Sequence, residues 1–450
     1  MERNPQPLQD SCVLYLLTHV DDFPPHELAM LPRHLRSTLL HVAPPVLLYY
    51  LEQTPVASQI NTETIWKEIG EQCQAEGVWP LYSSLHAESY EYRDCLITSI
   101  WDQLLGGKWR NTSPKNPSLL DDWRMGFTIR SSNSEFNHCL ADSEIEAVSY
   151  MLTFGALPKV LEVLTTHVSL CQLWRNKPLL QQFLQLCRPL RVKLWGGISI
   201  EFVLKGLAQS PQPKLQELEL YFTPSAVLSA IARLFTQQNG FSLKKLFINL
   251  SNDAKVNESR EVFSPLVLII RSQRELQTLA LAQMENCNSI NDKISSKVAP
   301  ILAGLLQRPK FQNLRLISLK YLPLHVVLTI IEGFVLSQPE DELHLSFESV
   351  GIFHYKVNSQ DSRQPPSVDP KEAKLTGPKK YLYFRNMVIP RALVEWLCSM
   401  QYIYLNTLYF HTHEQHASKI RKCFQSHQNF HVQNFEFSEF SSARVPPAGW

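Results

Sequence analysis

Two hydrophobic patterns alternate along residues 190–437. The first is a six-residue phrase, Leu-x-x-Leu-x-Leu or a close variant, at Leu215/Leu218/Leu220, Leu243/Leu246/Ile248, Leu276/Leu279/Leu281, Leu314/Ile317/Leu319 and Leu405/Leu408/Phe410. Less complete copies centre on Val192, Leu343, Leu382 and Phe435. Residues two apart project to the same side of an extended strand, so each phrase buries one set and offers the other on the opposite face. The second pattern places Val, Leu and Ile three and four residues apart, which predicts helices over 224–235, 261–272, 296–308, 325–337 and 390–400.

Successive phrase centres lie 26 to 39 residues apart, with a base step of 26 to 28. That period matches long leucine-rich repeats built from one strand and one helix. Neither the strand nor the helix of such a unit closes its own core, so neighbouring units must stack. The expected fold is α/β: a leucine-rich-repeat horseshoe, a ribonuclease-inhibitor-like solenoid, over residues 156–440, with parallel inner strands and Val160–Leu164 as an early one. The longer steps contain insertions at 251–259, 285–293 and 357–378, which are expected to be loops, the last of them mobile. An asparagine ladder after the strands is absent, since Thr223 and Met284 stand where it would fall.

Ahead of the repeats, Pro24-Pro25 and Pro44-Pro45 interrupt an otherwise helical pattern. They predict an all-helical cap with short helices over 8–20, 26–42, 46–53 and 62–75. Residues 1–75 form one module, and 76–155 form a helical cap and linker region. Helices are expected there at 90–105 and 144–153, around a polar, turn-rich stretch at 109–140. Residues 441–450 are expected to be a flexible tail.

In the first predicted helix, Leu8, Cys12 and Leu16 lie four apart and form one apolar stripe, with Pro7 suited to the opening turn. The small Cys12 lets another helix approach closely. Pro7, Leu8, Cys12 and Leu16 fill every fixed position of the BC box, Pro/Ser/Thr-Leu-x-x-x-Cys/Ala/Ser-x-x-x-aliphatic. This segment resembles the elongin-binding substrate receptors of cullin-RING ubiquitin ligases. Downstream, Leu31, Pro32, Leu35 and Leu39 match the cullin-2 box of that family. His34 stands where cullin-5 boxes carry a second proline, so the resemblance leans towards cullin-2. Cullin-5 stays open, because a leucine-rich-repeat receptor of the family, similar over the first 70 residues through Pro44-Pro45 to Trp66, carries a form closer to the cullin-5 box.

The resemblance implies a non-catalytic subunit that docks elongin C, and through it elongin B, by Pro7, Leu8, Cys12 and Leu16. It would meet the cullin by Leu31, Pro32, Leu35 and Leu39, and a RING subunit would supply the chemistry. Client protein would bind on the repeats, where the outward positions Glu219, Tyr221 and Phe247 combine charge with aromatic area. An F-box-like alternative takes Leu31-Pro32, Leu39-Leu40 and Pro44-Pro45 as a Skp1-binding module with cullin-1. A repeat scaffold with no ligase role is the third reading.

Composition narrows the alternatives. Forty-three basic residues against 42 acidic ones give no global field for nucleic acid or membrane. The longest apolar runs, such as 265–270, are too short to span a bilayer. Residues 1–10 are polar and proline-containing, without the apolar run of a signal peptide, so a cytoplasmic or nuclear location is expected. Nine cysteines show no Cys-x-x-Cys pair and are expected to be reduced core thiols.

No Gly-x-Ser-x-Gly elbow, P-loop, dinucleotide glycine signature or His-Glu-x-x-His helix occurs. No catalytic residue, cofactor or metal is expected. His411, His413 and His416, with His427 and His431, are the one metal-suggestive cluster, and they read better as a strand-to-helix turn. Lys379-Lys380-Tyr381-Leu382-Tyr383-Phe384 interleaves bases with aromatics, yet its phase is that of a repeat strand, with Lys379 and Lys380 at its solvated start.

Overall fold

A computed structural model describes residues 6–75, 92–105, 124, 126–129, 138–164, 172–195, 198–210, 214–223, 225–236, 241–250, 263–283, 292–319, 322–353, 370–400, 403–425 and 430–440. The chain is α/β and divides into two compact units: residues 1–194 with 205–214, and residues 195–204 with 215–450. The insertions at 251–259, 285–291 and 357–369, most of the stretch 109–140 and the tail 441–450 lie outside the described residues.

The first unit opens with α1 (Gln6–Thr18), α2 (Pro25–Leu28), α3 (Arg33–Val42), α4 (Pro45–Glu52) and α5 (Thr62–Ala75). The helix expected over 26–42 is therefore two helices. Leu31 precedes a proline, which disfavours helical backbone, and Pro32 caps α3 in an extended conformation (φ −50°, ψ 145°). Pro25 and Pro45 open α2 and α4 at positions where their missing N–H is no loss. Leu39, Leu40, Leu47, Leu48 and Leu51 are at most 1 % exposed and form the centre of this helical part.

Arg36 locks the turn before α3. Its Nε donates to the Leu31 carbonyl at 3.1 Å, while Nη1 donates to those of Val56 (3.0 Å) and Ser58 (3.1 Å). Glu52 joins α4 to α5 by accepting from Thr62 Oγ1 at 2.7 Å and Trp66 Nε1 at 3.2 Å.

The unit continues through α6 (Tyr92–Leu104), the short antiparallel pair β1 (Thr128–Ile129) and β2 (His138–Cys139), and α7 (Glu144–Thr153). Then come β3 (Val160–Leu164), α8 (Gln172–Arg175), α9 (Lys177–Leu186) and β4 (Arg191–Trp195), with β3 and β4 hydrogen-bonded neighbours. Buried Asp94 on α6 pairs with Lys159 just before β3. Trp101 stacks on Phe183, with centroids 4.2 Å apart, and donates to the Ala156 carbonyl.

After α10 (Ile198–Ala208), the second unit alternates strand and helix. Its strands are β5 (Glu217–Thr223), β6 (Lys245–Leu250), β7 (Thr278–Gln283), β8 (Asn313–Ile317), β10 (Leu343–Glu348), β12 (Lys380–Arg385), β13 (Ile403–His413) and β14 (Phe430–Phe440). They pair in chain order, every pair parallel. A separate two-residue pair, β9 (Leu322–Pro323) with β11 (Ile352–Phe353), is also parallel. The intervening helices are α11 (Ser225–Thr236), α12 (Phe263–Ser272), α13 (Asp292–Leu306), α14 (Leu324–Val335), α15 (Pro370–Thr376), α16 (Arg391–Ser399) and α17 (Glu414–Gln425). Helix α15 and part of α13 occupy stretches expected to be loops.

Register turns the repeated phrase into columns. Leu218, Leu246, Leu279, Leu314, Leu345, Leu382 and Leu408 lie side by side across seven strands, none more than 1 % exposed. A second column runs Leu220, Ile248, Leu281, Leu316, Phe347, Phe384, Phe410. Its last three rings stack with centroids 5.4 and 5.2 Å apart.

This register corrects two phrase centres. Leu314 and Leu345 occupy the column, not Ile317 and Leu343. Strand β8 ends at Ile317 because Ser318 turns left-handed (φ 55°), and Ser349 (φ 54°) and Asn386 (φ 53°) do the same after β10 and β12. The Ser318 and Ser349 amides donate to the Glu348 and Arg385 carbonyls, both at 2.8 Å, so each exit is tied to the next strand.

Lys380, expected at a solvated strand start, is 3 % exposed, and burial pushes its pKa down to about 8. Its ammonium donates to the Val335 carbonyl at the end of α14. Lys379 is bound in the same way by the Glu340 carbonyl, so both bases are held by backbone oxygens.

Helices α13 and α14 approach closely at Gly333, where an added Cβ would lie 2.6 Å from Ala303 Cα. Gly304, on α13, faces open space. Gly333→Ala should lower stability by about 1–2 kcal/mol, since overpacking outweighs the gain in helix propensity. Gly304→Ala should raise it by up to about 1 kcal/mol. Urea denaturation of both variants checks the pair, and equal effects of the same sign would contradict this packing.

Candidate interaction surfaces

Helix α1 has two apolar stripes. Val13 and Leu17 are 5 % and 1 % exposed and pack inward. Cys12 and Leu16, one residue earlier in each case, lie about 100° around the helix. Cys12 is exposed, Leu16 is half-buried, and Tyr15 between them is 56 % exposed. Pro7 and Leu8 belong to the same helix, and their side chains lie outside the described residues. The inward stripe satisfies the fold and the other keeps apolar area at the surface.

The residues expected to meet a cullin separate into two groups. Pro32 is exposed, Leu31 and Leu35 are half-buried, and the neighbouring Met30 is 82 % exposed. Leu39 is 1 % exposed, so it supports α3 from inside and offers no surface of its own. The Arg36 bonds described above hold Leu31 and Pro32 in place.

In the second unit, alternate strand residues leave the buried columns and form an open face. Glu219, Tyr221 and Phe247 come together there. Tyr221 Oη donates to Glu219 Oε2 at 2.8 Å, the Tyr221 and Phe247 ring centroids are 4.8 Å apart, and Phe247 pairs with Glu219 across the strands. Trp195 stacks on Tyr221 at 4.0 Å with planes 9° apart, giving a three-ring run. Beside it, Lys245 and Glu217 form an ion pair at 2.7 Å. Ala280 and Ala282, also on this face, are only 6 % and 4 % exposed.

A second cluster lies farther along the same face. Arg315 grips Glu348 with two bonds of 3.0 and 2.9 Å, and Ser346 Oγ donates to the same carboxylate at 2.9 Å. Burial tends to raise the Glu348 pKa. The Arg315 and Ser346 hydrogen bonds, with the charges of Arg315 and Arg385, outweigh it and hold the carboxyl below its usual range. The Arg385 guanidinium lies over the Tyr383 ring at 4.7 Å and near that of Tyr409 at 5.9 Å. His344 stacks on Tyr381 at 4.5 Å, and Tyr381 Oη donates to Glu342 Oε1.

Trp195, Arg315, His344, Glu348 and Arg385 were not among the expected site residues. The misplaced centre at Ile317 hides Arg315, because a three-residue slip in a period of two exchanges the faces of the strand. Trp195 falls at the end of an incomplete phrase. Of the expected histidine cluster, His411 lies on β13 beside Ser438, and the side chains of His413, His416, His427 and His431 lie outside the described residues. Among the described residues, no group of three or more His, Cys, Asp and Glu side chains is placed to hold a metal ion.

No known protein-family model matches the chain, and no curated protein sequence matches it significantly. No described helix is long and apolar enough to cross a membrane.

Glu348→Gln should cost about 1–2 kcal/mol, because it removes the charge shared by two arginines while leaving the shape intact. Since the folded pKa is depressed, the contribution is complete above the unfolded carboxylate pKa and is lost as pH falls through the lower folded value. Thermal melts of the parent and Glu348→Gln should therefore differ at neutral pH and converge in acid. A gap that persists unchanged in acid would contradict this ionic role.

Proposed function

We propose that this chain is the non-catalytic substrate-recognition subunit of an elongin BC, cullin and RING ubiquitin ligase. The observation that carries the reading is the division of α1: one stripe is spent on the fold, and the adjacent one, with Cys12 and Leu16, is left at the surface. An apolar helical stripe of this kind suits a groove on a partner. Leu8 would fill an apolar pocket of elongin C, Cys12 would permit close helix approach, and Leu16 would extend the seam. Elongin B would follow elongin C into the assembly.

Leu31, Pro32 and Leu35 would meet cullin-2, or cullin-5 if the missing second proline is not decisive. The exposed Pro32 and Met30 support that assignment, and Leu39 would act only by holding α3. On this reading the second unit is a degenerate leucine-rich-repeat horseshoe. Its parallel strands, registered leucine columns and left-handed strand exits support that finer description. Glu219, Tyr221 and Phe247 would contact the client, and the ligase would act by raising the local concentration of client lysines near the RING-bound conjugating enzyme.

The double variant Leu8→Ser with Cys12→Phe should abolish capture of elongin B and elongin C by the full chain. Losing an interface leucine and overfilling a tight helix contact should each cost about 2 kcal/mol or more. Circular dichroism must report the parent fold in the same preparation. Undiminished elongin capture would refute the reading, and capture of Skp1 with cullin-1 would replace it with an F-box-like one.

A second variant separates the client surface from the adaptor surface. Changing Glu219, Tyr221 and Phe247 together to alanine should deplete clients in proximity labelling while elongin capture persists. Retention of every client would move the client site off this face.

A further inference from the structure

Cys398 and Cys423 are 25 residues apart, close to one repeat step, and come from consecutive helices α16 and α17. Their Sγ atoms are 3.6 Å apart. Cys398 is 5 % exposed, and Cys423 is half-buried. A disulfide needs the sulfurs about 2.05 Å apart, so closure requires them to approach by about 1.5 Å. We propose that these two thiols are a modification site: a pair that closes to a disulfide and staples α16 to α17.

The oxidant is a low-molecular-weight disulfide such as oxidised glutathione. Cys423, the more accessible sulfur, attacks it as thiolate, forming a mixed disulfide and expelling one glutathione thiolate. Cys398, whose thiol pKa is held well above its usual range by burial, then attacks Cys423 Sγ and expels the second glutathione, its proton leaving with that glutathione as a thiol. Two protein thiols are oxidised and one glutathione disulfide is reduced to two thiols, so atoms and electrons balance.

The staple would act on the helix that covers the last described strands. Phe424, adjacent to Cys423, is 8 % exposed and packs on Phe410 of β13 and Phe435 of β14, with centroids at 5.9 and 5.3 Å. Fixing α17 to α16 therefore fixes Phe424 over both strands. Oxidation would stiffen this end of the sheet without adding a contact to the open face.

The test equilibrates the full chain in glutathione buffers of rising oxidised fraction, blocks free thiols and maps linked peptides by mass spectrometry. The expected product is one peptide pair joined through Cys398 and Cys423, about 2 Da lighter than its separated parts and released by dithiothreitol. Oxidised protein should also melt at a higher temperature than reduced protein, a difference that disappears in Cys423→Ser. The parent chain carries the linkage map alone if that variant does not fold. Glutathione trapped on Cys423 without a linked pair, or either cysteine joined to a different one, would overturn the proposal.

Discussion

The second unit depends on the registered stacking of two buried columns across parallel strands. Leu218 through Leu408 form one column, and Leu220 through Phe410 form the other. A strand with its following helix has no way to bury these residues alone, so each unit is stable only against its neighbours. The same constraint decides what remains outside. Once one set of alternate residues is committed to the columns, the other set must face away, and Tyr221, Phe247, Arg315 and Tyr383 are held there by a backbone they did not choose.

The first unit follows a comparable division on a helix. Val13 and Leu17 are drawn inward, which turns Cys12 and Tyr15 out. Burial of one stripe thus fixes the presentation of the next, and Tyr15 is further held by stacking on His19, with centroids 4.3 Å apart. Arg36 does related work by bonding four backbone carbonyls around α3.

Much of this was legible because apolar spacing has a short physical range. Strands at 217–223, 245–250 and 278–283, and helices at 144–153, 225–236 and 324–335, follow directly from it. What failed was register where two phases compete. Around Leu314, Leu316, Ile317 and Leu319, the apolar residues satisfy two alignments, and only pairing with Leu279 and Leu345 chooses between them. The helix at 370–376 was hidden by proline and glycine dipeptides that mark its ends. Lys380 was read as solvated because its carbonyl partner at Val335 lies 45 residues away. Trp195 and the Arg315, Glu348 and Arg385 cluster are likewise products of pairing, not of local pattern. Cys398 and Cys423 carried a usable signal, since residues one repeat apart fall on neighbouring helices.

Hydrogen–deuterium exchange of the full chain, with and without purified elongin B and elongin C, tests the central claim most directly. The account predicts that amides of α1, over Gln6–Thr18, slow when elongins are added, while those of β5 to β14 keep their rates. Unchanged exchange across α1 in the presence of saturating elongins, or protection confined to the second unit, would contradict it.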